Sequence, residues 1–233
     1  LLDFLDDTIK SVDDVDRFVH LPALALIPAV RNEKRLPRLH PGAGPSETTA
    51  LAMVSDSRSP IAESYRHLRT SLLLSSAGTP PRTILVTSSQ PSEGKTTTAI
   101  NTAFMLAQTG APVLIIDCDL RRPRLHSHFL LSNARGLTNC LSGESDAIDS
   151  LLQTYEKQPN LKLLTSGPIP PNPAELLGSD EMRRLLTTLS EKFTYIIVDS
   201  PPAISFTDAS ILSTFVDGVI LVVHGGRSSR AVV

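Results

Sequence analysis

Beyond residue 80, short continuous apolar runs alternate with stretches whose apolar positions recur every three or four residues. The runs are Ile84-Leu85-Val86, 112–117 (PVLIID), 161–165 (LKLLT), 193–198 (FTYIIV) and 218–224 (GVILVVH). Bounded by Gly, Pro or Asp, they predict strands buried on both faces. The stretches between them predict helices. One covers 95–108 and stops at Gly110, a left-handed cap. Others cover 136–143, 146–155 and 208–215. Ser179 caps another that runs to Lys192, with Asp180 and Glu181 in its first turn. Before it, Pro168, Pro170, Pro171 and Pro173 make a rigid connector that enters neither sheet nor helix until Ala174. The alternation predicts an α/β fold with a mostly parallel central sheet, right-handed crossovers and helices on both faces.

The first 80 residues read differently. Ser11 followed by Asp14 resembles a helix cap, and Val12, Val15, Phe18 and Val19 then share a helical face. Residues 24–28 (LALIP) read as a short strand closed by Pro. Residues 31–58 are rich in Pro, Gly, Ser and Thr without an apolar period, which predicts a flexible linker. Ser59-Pro60 then opens a helix whose buried face is Ala62, Tyr65, Leu68 and Leu72. Glu63, Arg66 and Arg69 lie along one stripe of it. That stripe is either a solvated charge face or an intermolecular contact. The division is therefore 1–30 connector, 31–58 linker, 59–233 main domain.

Composition narrows the classes. Lys and Arg number 22 against 24 Asp and Glu, a net charge of −2, so no global basic field points to nucleic acid. With 2 cysteines, Cys118 and Cys140, there is neither a disulfide framework nor a zinc set. No apolar run is long enough to span a bilayer. The chain starts without Met and stops soon after its last predicted strand. We therefore expect it to be a piece of a longer protein that continues beyond both ends.

The candidate chemistry sits at the ends of the predicted strands. After the run at 84–86, the chain reads TSSQPSEGKTTTAIN, a polar loop ending in Gly94-Lys95-Thr96 at a helix start. A helix N-terminus offers unpaired N–H groups and partial positive charge to a polyphosphate. Lys95 adds a cation, and the Thr96 hydroxyl suits Mg²⁺. Ser89 stands where the full phosphate-loop pattern has its first Gly. The second strand ends in Asp117-Cys118-Asp119, and the fourth ends in Asp199. Ligands of open parallel sheets sit beyond such carboxyl ends. These carboxylates therefore suit Mg²⁺, or the orienting or deprotonation of an attacking hydroxyl.

The segments TSSQPSEGKTTTAIN, LIIDCDLRRPRLH, GPIPPNPAELL and YIIVDSPP, in that order, closely resemble the bacterial tyrosine kinases of capsule and exopolysaccharide export. That family has a phosphate-loop (P-loop) NTPase-like fold with Walker A, A′ and B motifs. The resemblance implies an ATP site in which Ser92, Glu93, Gly94, Lys95, Thr96 and Thr97 bind nucleotide. Thr96, Asp117 and Asp199 would hold Mg²⁺. Lys95, Asp117, Asp119 and Asp199 would be catalytic, with Asp119 in a supporting role. It further implies transfer of the ATP γ-phosphoryl to tyrosine in trans, within a ring-like homo-oligomer built through Glu63, Arg66 and Arg69. Residues 1–28 look like the connector that follows a membrane-spanning polysaccharide co-polymerase, fused or separate. That places the domain at the cytoplasmic face of the inner membrane. Protein tyrosine substrates and a cognate phosphatase complete the implied partners, with no nucleic acid. Family loops often carry Gly where this chain has Ser92, which fits if its φ is negative. No tyrosine cluster is present: Tyr65 and Tyr195 read as packing residues, and the third tyrosine is Tyr155. Two rival readings stand beside this one. A Min/partition-type ATPase would carry a signature Lys at the position of Gln90. A nucleotide-gated scaffold would assemble the export machinery without significant kinase activity.

Overall fold

The computed structural model describes residues 7–29, 58–76, 78–143 and 148–233. The expected linker lies outside these residues apart from Arg58. The strands are β1 (Thr83–Ser88), β2 (Val113–Asp117), β3 (Gln153–Thr154), β4 (Leu161–Leu164), β5 (Tyr195–Asp199) and β6 (Gly218–Val222). They form one sheet in the order β3-β4-β2-β5-β1-β6. All neighbours are parallel except β3 and β4. The fold is the α/β, phosphate-loop NTPase-like architecture expected, with a mostly parallel sheet and helices on both faces.

The period of two decides which side chains go where. In β1, β2 and β5, Leu85, Leu114, Ile116, Ile196 and Val198 enter one apolar cluster. Ile84, Val86, Val113, Ile115 and Ile197 enter the cluster on the opposite face. The first face is covered by α5 (Leu137–Leu141), α8 (Asp180–Lys192) and α9 (Asp208–Ser213). The other is covered by α3 (Lys95–Ala107), whose Ala99, Ile100, Ala103 and Leu106 are fully buried. Truncating Ile100 or Leu106 to Ala costs about 2–5 kcal/mol. Outside α3 lies α2 (Pro60–Leu73). Ser59 caps α2 by accepting from the Ala62 N–H at 3.1 Å. Its buried residues are Ala62, Tyr65, Leu68 and Leu72, the face expected from the spacing.

Several local expectations are corrected. Ser11 and Asp14 do form a reciprocal capping box over α1 (Val12–Asp14), but the chain then widens into a π-helical turn, Val15–Val19. Five residues per hydrogen-bonded ring break the 3.6 spacing, and no residue of either piece is buried. Phe18 instead lies beneath the Arg17 and Arg230 guanidinium groups. Residues 24–28 form no strand; Leu24, Ala25 and Ile27 pack on Tyr65, Leu68 and Met105. The helix predicted over 146–155 is α6 (Ile148–Leu151) followed by β3, whose two residues are too few to show a period. The connector leads into α7 (Pro173–Leu177), with Pro173 as a first-turn residue. Gly136 is required by contact, since a Cβ there would sit 2.1 Å from the Thr165 carbonyl oxygen.

Candidate active site: three carboxylates around a loop lysine

The site forms because β1, β5 and β2 are neighbours and parallel, so three motif-bearing strand ends meet at one edge. Asp117 and Asp199 are directly paired in register, and the Cys118 N–H donates to the Asp199 carbonyl at 2.8 Å. On the other side of β5, β1 runs into the loop that opens α3.

That loop is held by its own side chains. The Glu93 carboxylate is buried and accepts from the Gln90 N–H at 2.7 Å and from the Ser89 hydroxyl at 2.9 Å. It also accepts from the Ser228 hydroxyl. Ser89, the departure from the full pattern, therefore tethers the loop, and among described residues its φ is not positive. Ser92 is the strained position. Its φ is +66°, so the expectation of a negative value is corrected. Gly94 has φ +96°, where a Cβ is disfavoured. The Thr98 N–H donates to the Gly94 carbonyl at 2.8 Å, so the amides of Lys95, Thr96 and Thr97 precede the first intrahelical bond.

Lys95 leans across to the carboxylates. Its Nζ donates to Asp119 Oδ2 at 2.8 Å and lies 4.0 Å from Asp199 Oδ1. Burial alone would lower its pKa, but the Asp199 and Asp119 charges outweigh that and hold it above the ordinary lysine value. Asp119 Oδ1 accepts from the Arg122 N–H at 3.0 Å. Asp117 is fully buried, and its oxygens accept from the backbone N–H groups of Asp119 (3.2 Å), Arg124 (3.1 Å) and Leu125 (3.0 Å). These bonds shape the turn into α4 (Leu125–Phe129). Asp199 is as deeply buried, yet neither carboxylate oxygen has a hydrogen-bond partner. Burial pushes both acids up from the ordinary carboxylate range, and for Asp117 the neighbouring Asp199 charge adds to it. Burial and the same carboxylates raise the Cys118 thiol well above its usual value, so it stays protonated.

A buried carboxylate that accepts no hydrogen bond is expensive unless something neutralises it, and Lys95, 4.0 Å away and held by Asp119, does so only in part. Asp199 beside the Thr96 hydroxyl, below open helix amides and a lysine, fits a hard divalent cation carried on a polyphosphate. The structure thus brings together Ser92, Glu93, Gly94, Lys95, Thr96, Thr97, Asp117, Asp119 and Asp199. It leaves Glu63, Arg66 and Arg69 on α2, behind α3. There Arg66 is paired with Glu63, and Arg69 donates to the Met105 carbonyl at 3.3 Å.

Two features have no signal in the sequence. One is the Glu93–Ser228 contact. The other is a bidentate pair in which the Arg121 Nε and Nη2 donate to Asp208 at 2.8 and 2.9 Å. Their sequence separations, 135 and 87 residues, hide both.

A parallel sheet with this loop and these strand-end acids defines a nucleotide-binding domain of the phosphate-loop class. The family model described as an AAA domain matches residues 81–229. Tyrosine-protein kinase YwqD of Bacillus subtilis is 42% identical over 168 residues, which are 72% of this chain and 70% of that protein. The kinase domain of the Escherichia coli tyrosine kinase ETK superposes with a TM-score of 0.80 at 30% identity, covering 92% of this chain and 82% of that one. The chimerical protein CapA2B2 does so with a TM-score of 0.78 at 32% identity, over 91% and 84%. The chain belongs to the bacterial tyrosine-protein kinase family.

Proposed function

We propose that this domain transfers the γ-phosphoryl of ATP to tyrosine hydroxyls of proteins, including other copies of its own full-length chain, and thereby regulates polysaccharide polymerisation and export. The observation that carries the reading is the bare, buried Asp199 carboxylate beside a lysine that another acid, Asp119, already holds. The helix amides and Lys95 bind and orient the phosphates, drawing Lys95 from Asp119 towards them. Thr96 and Asp199 would hold Mg²⁺, with Asp117 behind them. Mg²⁺ would supply neutralisation of the charge that develops on the transferred group. Asp117 fixes the turn that carries Asp119, and Asp119 accepts a proton or orients the incoming hydroxyl. Transfer then depends mainly on positioning and charge, which this chemistry rewards.

The acceptor comes from elsewhere. Tyr65 is buried, Tyr155 meets Phe129 edge-on at 5.1 Å, and Tyr195 is half-buried against the sheet core. A ring built through Glu63, Arg66 and Arg69, tethered to a membrane co-polymerase at the cytoplasmic face, would present such acceptors. No helix among the described residues is long and apolar enough to cross a membrane. Incubation with Mg²⁺-ATP and a tyrosine-bearing partner is expected to yield phosphotyrosine that Lys95→Met abolishes. Phosphotyrosine that persists in Lys95→Met, or none with wild type, overturns the reading.

A further inference from the structure

Between β2 and α4 the chain carries Asp119, which holds Lys95. Between β5 and α9 it carries the stretch from Asp199 to Asp208. The two loops flank the same edge of the sheet, and Arg121 joins them. Its guanidinium makes the fork to Asp208, at 2.8 and 2.9 Å, and covers the Phe206 ring with 4.0 Å to its centroid. Asp208 has no exposed surface, whereas Arg121 keeps 29% of its side chain accessible. Asp208 opens α9, where a carboxylate also suits the helix N-terminus. A planar fork that is also stacked on a ring fixes distance and orientation together, which a lysine in the same place would not. Only Leu120 separates Arg121 from Asp119.

We infer that Arg121 is a positioning residue. Its clamp on Asp208 and Phe206 sets the Asp119 carboxylate against Lys95, and so fixes the loop lysine relative to Asp199. The inference rests on the tyrosine-transfer reading of the site, but its geometry does not. The bonds and ring contact of Arg121 go to Asp208 and Phe206, and its charge is felt by Asp119, so its effect on Lys95 passes through Asp119. Loosening it should leave ATP binding nearly intact while spoiling alignment for transfer.

The test compares Arg121→Lys and Arg121→Gln with wild type in three measurements. In steady-state kinetics, kcat is expected to fall about tenfold in Arg121→Lys and about a hundredfold in Arg121→Gln, with KM for ATP changed less than about threefold. Phe206→Leu, which keeps the fork, should lower kcat less than either. In amine labelling of the ligand-free protein read by mass spectrometry, Lys95 should label several-fold faster in Arg121→Gln, while Lys162 labels as in wild type. Circular dichroism and thermal melting identify variants that fail to fold; for these Phe206→Leu supplies the answer on both readouts. Unchanged Lys95 labelling in a folded Arg121→Gln protein overturns the clamp. So does a rise in KM at constant kcat. If wild type forms no phosphotyrosine, the proposed activity fails, and Lys95 labelling alone decides the clamp in the same way.

Discussion

Asp117 and Asp199 stand side by side at the ends of β2 and β5, both cut off from water, and their surroundings differ in kind. Asp117 accepts three backbone N–H bonds and closes the turn that follows it. Asp199 accepts none. A carboxylate saturated by its own loop maintains structure. One left bare at a nucleotide site raises the energy of the empty protein and is relieved by a ligand. The two aspartates are therefore alike in sequence context but opposite in what their loss should do.

The sharpest way to break that contrast is Asp199→Asn. Phosphotyrosine formation is expected to drop by about a thousandfold or more, because the carboxylate proposed to hold the Mg²⁺ that neutralises the phosphates is gone. Thermal melting of the ligand-free protein should hold or rise, since a buried carboxylate that accepts no hydrogen bond, and has only Lys95 at 4.0 Å opposite it, has been removed. A collapse of the fold would show that Asp199 is structural after all. Asp117→Ala should behave in reverse. It strands buried N–H donors and is expected to destabilise the domain by about 2–4 kcal/mol in urea unfolding. An Asp117→Ala protein of wild-type stability and low activity would erase the distinction.

Acidity offers a gentler probe. Both acids are raised, and the unfolded chain titrates near the ordinary value of about 3.9, so over the window between them the folded protein binds more protons. Their contribution to stability is complete below about pH 4 and is lost as pH rises through the raised values. Ligand-free stability should therefore gain on the order of 1 kcal/mol from these groups between neutral and mildly acid pH. The gain should shrink in Asp199→Asn; a pH profile identical in the two proteins would count against it. The smallest expected effect is at Ser92, held at φ +66°. Ser92→Gly relieves left-handed strain of roughly 1 kcal/mol, partly offset by a more flexible unfolded chain, so a slight rise in melting temperature is expected. A fall would mean that the Ser92 side chain contributes more than its backbone costs.

Much of this site was legible because apolar runs that end in Asp mark buried strands, and parallel strands bring their carboxyl ends to one edge. The loop, Asp117, Asp119 and Asp199 meet as that rule requires. The division of labour between Asp117 and Asp199 was not legible, since it depends on which backbone amides a turn directs inward. Backbone angles were hidden too: Ser89 looked like the defect and is a tether, whereas Ser92 carries the strain. Pairing across long separations, as between Arg121 and Asp208 or Glu93 and Ser228, leaves no periodic trace. The misread elements were local ones. After α1 a π turn replaced the expected spacing, and residues 24–28 found a helix face to pack on instead of a strand to pair with.

In the proposed reading, Asp199 lacks a hydrogen-bond donor because its partner is a cation carried on ATP. Calorimetric titration of ATP into wild type and Asp199→Asn, each with and without Mg²⁺, tests it most directly. Mg²⁺ is expected to tighten binding about tenfold or more in wild type and hardly at all in Asp199→Asn. Equal tightening by Mg²⁺ in both proteins would contradict the account.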